Sequence, residues 1–110
     1  MEIEDHVYYD CIALKEVYFE DATSTLKIGQ GYGTNTGMFT INKVKKAYIG
    51  RNLQHSIYEG TFRYNDSIEE VTFGNCVTEV SYGCFTGCNN LTKIKFGNNI
   101  KTIKDFAFAN

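Results

Sequence analysis

Residues 65–87 read NDSIEEVTFGNCVTEVSYGCFTG, and residues 88–110 read CNNLTKIKFGNNIKTIKDFAFAN. Laid over each other, the two stretches match at a period of 23 without a gap. Ile68 meets Leu91, Val71 meets Ile94, Phe73 meets Phe96 and Gly74 meets Gly97. Val77 meets Ile100, Val80 meets Ile103, Cys84 meets Ala107 and Phe85 meets Phe108. Self-similarity at 20–50 residues marks a chain built by stacking one small unit.

Upstream, the pattern continues with slips. Val44, Ala47, Ile49, Gly50, Leu53, Ile57 and Phe62 form an earlier copy, with one extra residue between Leu53 and Ile57. Cys11, Leu14, Val17 and Phe19 open another, which carries Leu26, Ile28 and Phe39 around an insertion rich in Gly, Thr and Asn at 29–37. Tyr8 precedes Cys11 as Phe85 precedes Cys88, so residues 6–10 read as the tail of a still earlier copy. The expected coils are 11–41, 42–64, 65–87 and 88–110 in a single domain, with both ends cut mid-array.

Each copy places apolar residues at the first, fourth and sixth positions of its opening segment. The fourth and sixth alternate as one buried face of a strand requires. A Gly or polar turn follows, then a second short apolar pair, then an aromatic. One coil cannot bury this face alone, whereas coils stacked about 4.8 Å apart form a parallel sheet over a continuous core. The expected fold is a β-rich solenoid with one short parallel strand and a second short extended segment per coil, and little helix. Apolar ends would pack on further coils or end to end on another molecule.

Composition agrees. Apolar residues are 43%, charged residues 22% and the net charge is −2, an ordinary globular balance with no electrostatic footprint for nucleic acid. Eight Tyr and eight Phe favour strands. No apolar run approaches a membrane-spanning helix, so no membrane insertion is expected. The acidic start Met1-Glu2-Ile3-Glu4-Asp5 is no signal peptide.

The L-x-x-I-x-F-G-x-x-I-x-x-I-x-x-x-A-F signature from Leu91 to Phe108, the Cys88-Asn89-Asn90-Leu91 junction and the segment 47–53 (AYIGRNL) resemble the BspA-like leucine-rich repeat family, especially proteins of gut and oral Bacteroidetes. The resemblance covers about residues 8–110. It implies a right-handed leucine-rich-repeat superhelix, and a cell-surface or secreted protein that binds other proteins or host surfaces, with adhesion the usual role. The family often has Pro after the strand, where this chain has Glu20, Gly50, Gly74 and Gly97. No family catalytic residue exists to carry over.

The candidate partner-binding face is formed by the third and fifth positions of each strand. The third-place column, Glu16, Lys46, Glu70 and Lys93, alternates in charge. It serves either as a register-setting ladder or as a ligand face, and the two can coexist. The fifth-place column is Tyr18, Tyr48, Thr72 and Lys95, in which two stacked exposed tyrosines suit an interface, with cross-strand packing as the plainer role. Lys15, Lys45 and Glu69 flank this surface.

Other motifs read as structure. Cys11, Cys84 and Cys88 are expected to be buried thiols, and Cys76, in a turn, the accessible one. Cys84-x-x-x-Cys88 lacks the second ligand pair of a zinc site, and His6 and His55 are isolated. Cys76 and His55 lie in adjacent coils, but no third orienting residue is evident. Gly29-Gln30-Gly31-Tyr32-Gly33 lacks the Gly-Lys-Ser/Thr and helix of a phosphate loop. It reads as a looped-out insertion, with Tyr32 at the tip as a candidate binding loop. Asn65-Asp66-Ser67 and Asn90-Leu91-Thr92 match the glycosylation sequon.

The expected function is therefore non-catalytic: a protein-recognition or adhesion module, with no cofactor or metal. Its partner would be a protein, such as a host surface or matrix protein, or a glycan, because exposed Tyr stacks on sugars. The alternative is a set of structural spacer coils.

Overall fold

The computed structural model describes residues 2–3 (backbone), 14–28, 39, 43–55 and 60–109. The sequence readings at His6, Tyr8, Cys11, Tyr32 with its glycine loop, and Ile57 lie outside the described residues. Among the described residues nine strands follow one another: β1 (Glu2–Ile3), β2 (Glu16–Phe19), β3 (Leu26–Ile28), β4 (Lys46–Ile49), β5 (Leu53–Gln54), β6 (Glu70–Phe73), β7 (Glu79–Val80), β8 (Lys93–Lys95) and β9 (Thr102–Ile103). There is no helix among the described residues. The result is a β-rich repeat fold.

Every strand pair among the described residues is parallel. One four-stranded sheet runs β2-β4-β6-β8, a three-stranded sheet runs β1-β3-β5, and β7 pairs with β9. Parallel neighbours need a long crossover. Here the rest of each repeat supplies it, and it carries the second strand on its way. In the large sheet the register is Glu16↔Lys46↔Glu70↔Lys93, so equivalent repeat positions face each other.

Alternation sets the buried face. Phe19, Ile49 and Phe73 point inward, with Ala47 and Val71 two positions before the last two, and Val44 and Ile68 close the bend leading in. Behind them Phe39, Phe62, Phe85 and Phe108 form one column of stacked rings, with centroids 5.0, 5.2 and 5.4 Å apart. Phe73 and Phe96 stack in a second column at 5.6 Å. The columns meet edge to face, Phe73 on Phe85 at 6.1 Å and Phe96 on Phe108 at 6.2 Å. Each ring pair adds about 0.5–1.5 kcal/mol beyond area burial. Ile94 and Phe96 have a strand on one side only and are 39% and 47% exposed, whereas their counterparts Val71 and Phe73 are buried.

The second repeat departs from the sequence alignment. That alignment set Leu53 opposite Val77 and placed one extra residue after Leu53. In the structure Leu53 pairs with Leu26, its carbonyl accepts from Ser81 Oγ, and His55 reaches the Tyr82 carbonyl. Leu53 thus stands level with the Val80 segment. The turn after β4 (50–52) is shorter than the turn after β6 (74–78), yet Phe62 is level with Phe85, on which its ring stacks. Two polar side chains adapt the short turn to its longer neighbours. Buried Arg51 donates from Nε to the Ser24 carbonyl (3.0 Å) and from Nη2 to Ser24 Oγ (2.6 Å). Asn52 Oδ1 accepts from the amides of Thr78 (2.9 Å) and Glu79 (3.3 Å). In this way side chains satisfy backbone groups that a regular ladder would pair.

Candidate functional site

The eight residues of the predicted face all lie on the four-stranded sheet, on the side away from the aromatic columns. Glu16, Tyr18, Lys46, Lys93 and Lys95 are exposed, and Tyr48, Glu70 and Thr72 are half-buried. The strands bring six of them together around an open groove of about 460 Å³: Glu16, Tyr18, Lys46, Tyr48, Glu70 and Thr72. Lys93 and Lys95 line a neighbouring groove of about 380 Å³ with Glu70 and Thr72. Tyr32, the predicted loop tip, lies outside the described residues.

The tyrosine rings stack face to face, centroids 4.5 Å apart and planes 11° from parallel. Direct register of Tyr18 on Tyr48 produces this, since parallel strands set equivalent side chains one above the other. Tyr18 remains 68% exposed. Tyr48 is fixed further: its hydroxyl donates to Asp21 Oδ1 at 2.7 Å. This bond to the carboxylate, with partial burial and the Asp21 charge behind it, pushes the Tyr48 phenol up to about 12. Gly74 makes room for the pair, because a Cβ there would stand 2.5 Å from the Tyr48 hydroxyl and 2.6 Å from Asp21 Oδ1. Sequence reasoning found the tyrosines and missed Asp21, which belongs to the turn after β2 and shares no repeat position with them.

The charge column pairs unevenly. Glu70 holds both flanking lysines, Lys46 at 3.7 Å and Lys93 at 3.4 Å. Lys45 pairs with Glu69 at 3.1 Å beside them. Such exposed pairs are each worth about 0–1 kcal/mol. Lys46 therefore turns toward β6, and no ion pair holds Glu16 among the described residues.

Cys84, Cys88 and His55 serve the packing of the stack. Cys84 is buried, and burial pushes its thiol far above the ordinary range. Cys88 is half-buried and pushed up to about 12 by burial; its Sγ donates to the Phe62 carbonyl at 3.0 Å. Asn65, one repeat earlier, donates from Nδ2 to the Phe39 carbonyl in the same way. Both thiols thus stay protonated and unreactive. Cys76 is a half-buried free thiol on the wall of a third groove, with Tyr48 and Lys95. His55 Nε2 donates to the Tyr82 carbonyl (2.9 Å), which leaves Nδ1 to accept from Thr61 Oγ1 (2.8 Å). Both nitrogens are thereby committed to the stack rather than to Cys76. No group of three or more His, Cys, Asp or Glu is placed to hold a metal among the described residues. The first sequon is closed, because Asn65 is fully buried and its amide is engaged. No described helix is long and apolar enough to cross a membrane.

A family model described as BspA type leucine rich repeat region (6 copies) matches residues 55–110, just over half of the chain. No curated protein matches the chain, and no solved structure does.

Proposed function

The chain belongs to the BspA-type leucine-rich repeat family, and from that premise we propose that it is a non-catalytic recognition module whose outer sheet face binds another protein. In this reading the coils 11–41, 42–64, 65–87 and 88–110 wind as a right-handed solenoid. The parent protein is an adhesin-like surface or secreted protein that engages host surface or matrix proteins. The observation that carries the reading is the groove over β2, β4 and β6, where the stacked Tyr18 and Tyr48 stand among the charged side chains of the third-place column. Tyrosines held rigid before binding lose little entropy on contact, which is the economy of aromatic interface anchors.

The same tyrosine platform favours a second reading, a glycan that stacks on Tyr18. The ion pairs of Glu70 with Lys46 and Lys93 fit a spacer equally well, since they hold the stack in register without any ligand.

One experiment separates these. The chain and a variant carrying Tyr18→Ala, Lys46→Ala, Tyr48→Ala and Lys93→Ala are applied to immobilised matrix and plasma proteins and to a glycan array. We expect saturable binding to a protein by the parent chain and its loss in the variant, with circular dichroism and melting little changed. Undiminished protein binding by the folded variant would remove this face from consideration.

A further inference from the structure

We propose that the outer face of the four-stranded sheet pairs with the same face of a second copy of this chain, about a two-fold axis that runs parallel to the strands between β4 and β6. The pairing shares the face named above, but it stands on the order of the charges there and not on a foreign partner.

The argument starts from β4 and β6, the two strands of this sheet with a neighbour on each side. Lys45 and Lys46 stand at the start of β4, and Glu69 and Glu70 at the start of β6. Within the chain Lys45 pairs with Glu69 at 3.1 Å and Lys46 with Glu70 at 3.7 Å. The side chains nevertheless stay open to solvent, Lys45 and Lys46 at 55% and 60%, Glu69 and Glu70 at 52% and 35%. Each head group therefore has room for a second partner above the sheet. The whole third-place column runs Glu16, Lys46, Glu70, Lys93 in direct register. Taken from its other end, the same column runs with every sign inverted.

A surface that binds its own copy about a two-fold axis must be complementary to itself. Two sheet faces can meet about an axis along the stack or one along the strands. With the axis along the stack, each repeat faces itself, so lysines oppose lysines on β4 and glutamates oppose glutamates on β6. An axis along the strands reverses the stacking order instead. Centred between β4 and β6, it sets Lys46 against Glu70 of the second copy, Lys45 against Glu69, and Glu16 against Lys93. In the fifth-place column it sets Tyr18 against Lys95 and Tyr48 against Thr72, and no like charges meet. The strands of the two sheets are then aligned, one of the two ways in which sheets pack face to face. Further repeats stacked before β2 or after β8 would lengthen this face without covering it, and the central pairs would keep their places. The contact is polar and small beside the roughly 1,600 Å² of a standard stable interface. Charge then fixes register and orientation more than strength, and the dimer is a weak one, formed at high protein concentration and low salt.

The test is sedimentation equilibrium of the full chain over a wide concentration range, at low salt and at 1 M. We expect association that stops at two chains and weakens about ten-fold or more at 1 M, where the screening length falls to about 3 Å. Two variants probe the pairing itself: Lys45→Glu with Lys46→Glu, and separately Glu69→Lys with Glu70→Lys. Each sets like charges across the axis and is expected to weaken dimerisation about ten-fold or more. An equimolar mixture of the two is expected to pair again, because the acidic face of one then meets the basic face of the other. Mixing does not restore the ion pairs lost within each chain, so recovery reports contacts between chains alone. Circular dichroism shows whether each variant is folded. Where one is not, zero-length carbodiimide cross-linking of the unaltered chain takes its place, with unlabelled and nitrogen-15-labelled forms mixed. Lys46–Glu70 links that join the two forms are then expected, and their absence counts against the pairing. A chain that stays monomeric, a dimer indifferent to salt and to both folded variants, or a folded mixture that fails to pair overturns the proposal. So does growth beyond two chains, which marks end-to-end stacking through Ile94 and Phe96. A confirmed dimer whose four-fold variant keeps its foreign protein upholds the self-pairing and removes the recognition reading. A monomer whose four-fold variant loses that protein does the reverse.

Discussion

His55 is half-buried against a carbonyl and a hydroxyl, with no carboxylate bonded to its ring among the described residues. Burial penalises the imidazolium and lowers the pKa from 6.5, while the bond to the Tyr82 carbonyl offsets part of that effect. The sign of the consequence follows from linkage. Below pH 6.5 the unfolded chain takes up a proton that the folded chain resists, so stability falls as pH drops from there toward the folded pKa. Above that range the contribution is complete. One resisted proton corresponds to a slope of up to about 1.4 kcal/mol per pH unit. His55→Gln is expected to be less stable at pH 8 by about 1–3 kcal/mol, because one buried partner is left unsatisfied. Its melting temperature should also change less between pH 6.5 and 5 than that of the parent chain. Parallel melting curves for the two proteins across that window would show that His55 is not the titrating group. Every other titratable group is common to both proteins, so the difference isolates His55.

Among the elements, the turns after β2, β4, β6 and β8 explain why glycine recurs at 50, 74 and 97. None of these three adopts a positive φ; among the described glycines that conformation belongs to Gly83 and Gly87. What they provide is close approach between repeats. A Cβ at Gly97 would sit 2.5 Å from the Gly74 carbonyl oxygen, and one at Gly50 would sit 2.5 Å from the Phe19 carbonyl oxygen. At Gly74 the obstructions are the movable ends of Tyr48 and Asp21. Alanine should therefore act differently at one repeat position. Gly97→Ala and Gly50→Ala push backbone on backbone and are expected to cost about 1–3 kcal/mol, as overpacking does. Gly74→Ala should cost about 0.5–1.5 kcal/mol, the size of one hydrogen bond. It should also return the Tyr48 phenol from about 12 toward its ordinary value of 10. Ultraviolet titration of tyrosinate and thermal melts on the three variants check both halves. Equal melting losses with Tyr48 unmoved would show that Gly74 does not seat the clamp. These turns also mark where sequence reasoning reached its limit. Strand positions and the aromatic column were legible because the apolar residues Val71, Phe73 and Phe85 recur as Ile94, Phe96 and Phe108 one period on. The tyrosine pair was legible for the same reason. The short turn filled by Arg51 was not, because a gap and a later insertion nearly cancel in the count of residues. Asp21 was not, because a contact between different repeat positions leaves no trace in a periodic alignment.

Over the whole molecule, charge is sorted by repeat. Residues 65–87 carry Asp66, Glu69, Glu70 and Glu79 and no Lys or Arg. On one side stand Lys43, Lys45, Lys46, Arg51 and Arg63, and on the other Lys93, Lys95, Lys101 and Lys104. All four ion pairs among the described residues draw their carboxylate from this acidic repeat: Lys45–Glu69, Lys46–Glu70, Lys93–Glu70 and Lys104–Glu79. The apolar register is indifferent to which repeat neighbours which, since Ala47 and Ile49 would meet Ile94 and Phe96 as readily as Val71 and Phe73. The charges are not indifferent. Deleting residues 65–87 keeps the core pattern but sets Lys46 against Lys93, and like charges directly opposite on adjacent strands are destabilising. The deletion variant should still fold and should melt at a lower temperature in low salt. Its melting temperature should then rise with salt more than that of the parent chain, because at 1 M the screening length falls to about 3 Å. Lys93→Glu in the shortened chain should recover most of the low-salt loss by restoring a pair opposite Lys46. A shortened chain whose salt response matches the parent would mean that the repeats re-register on deletion. The charge column would then follow the stacking order and have no part in choosing it.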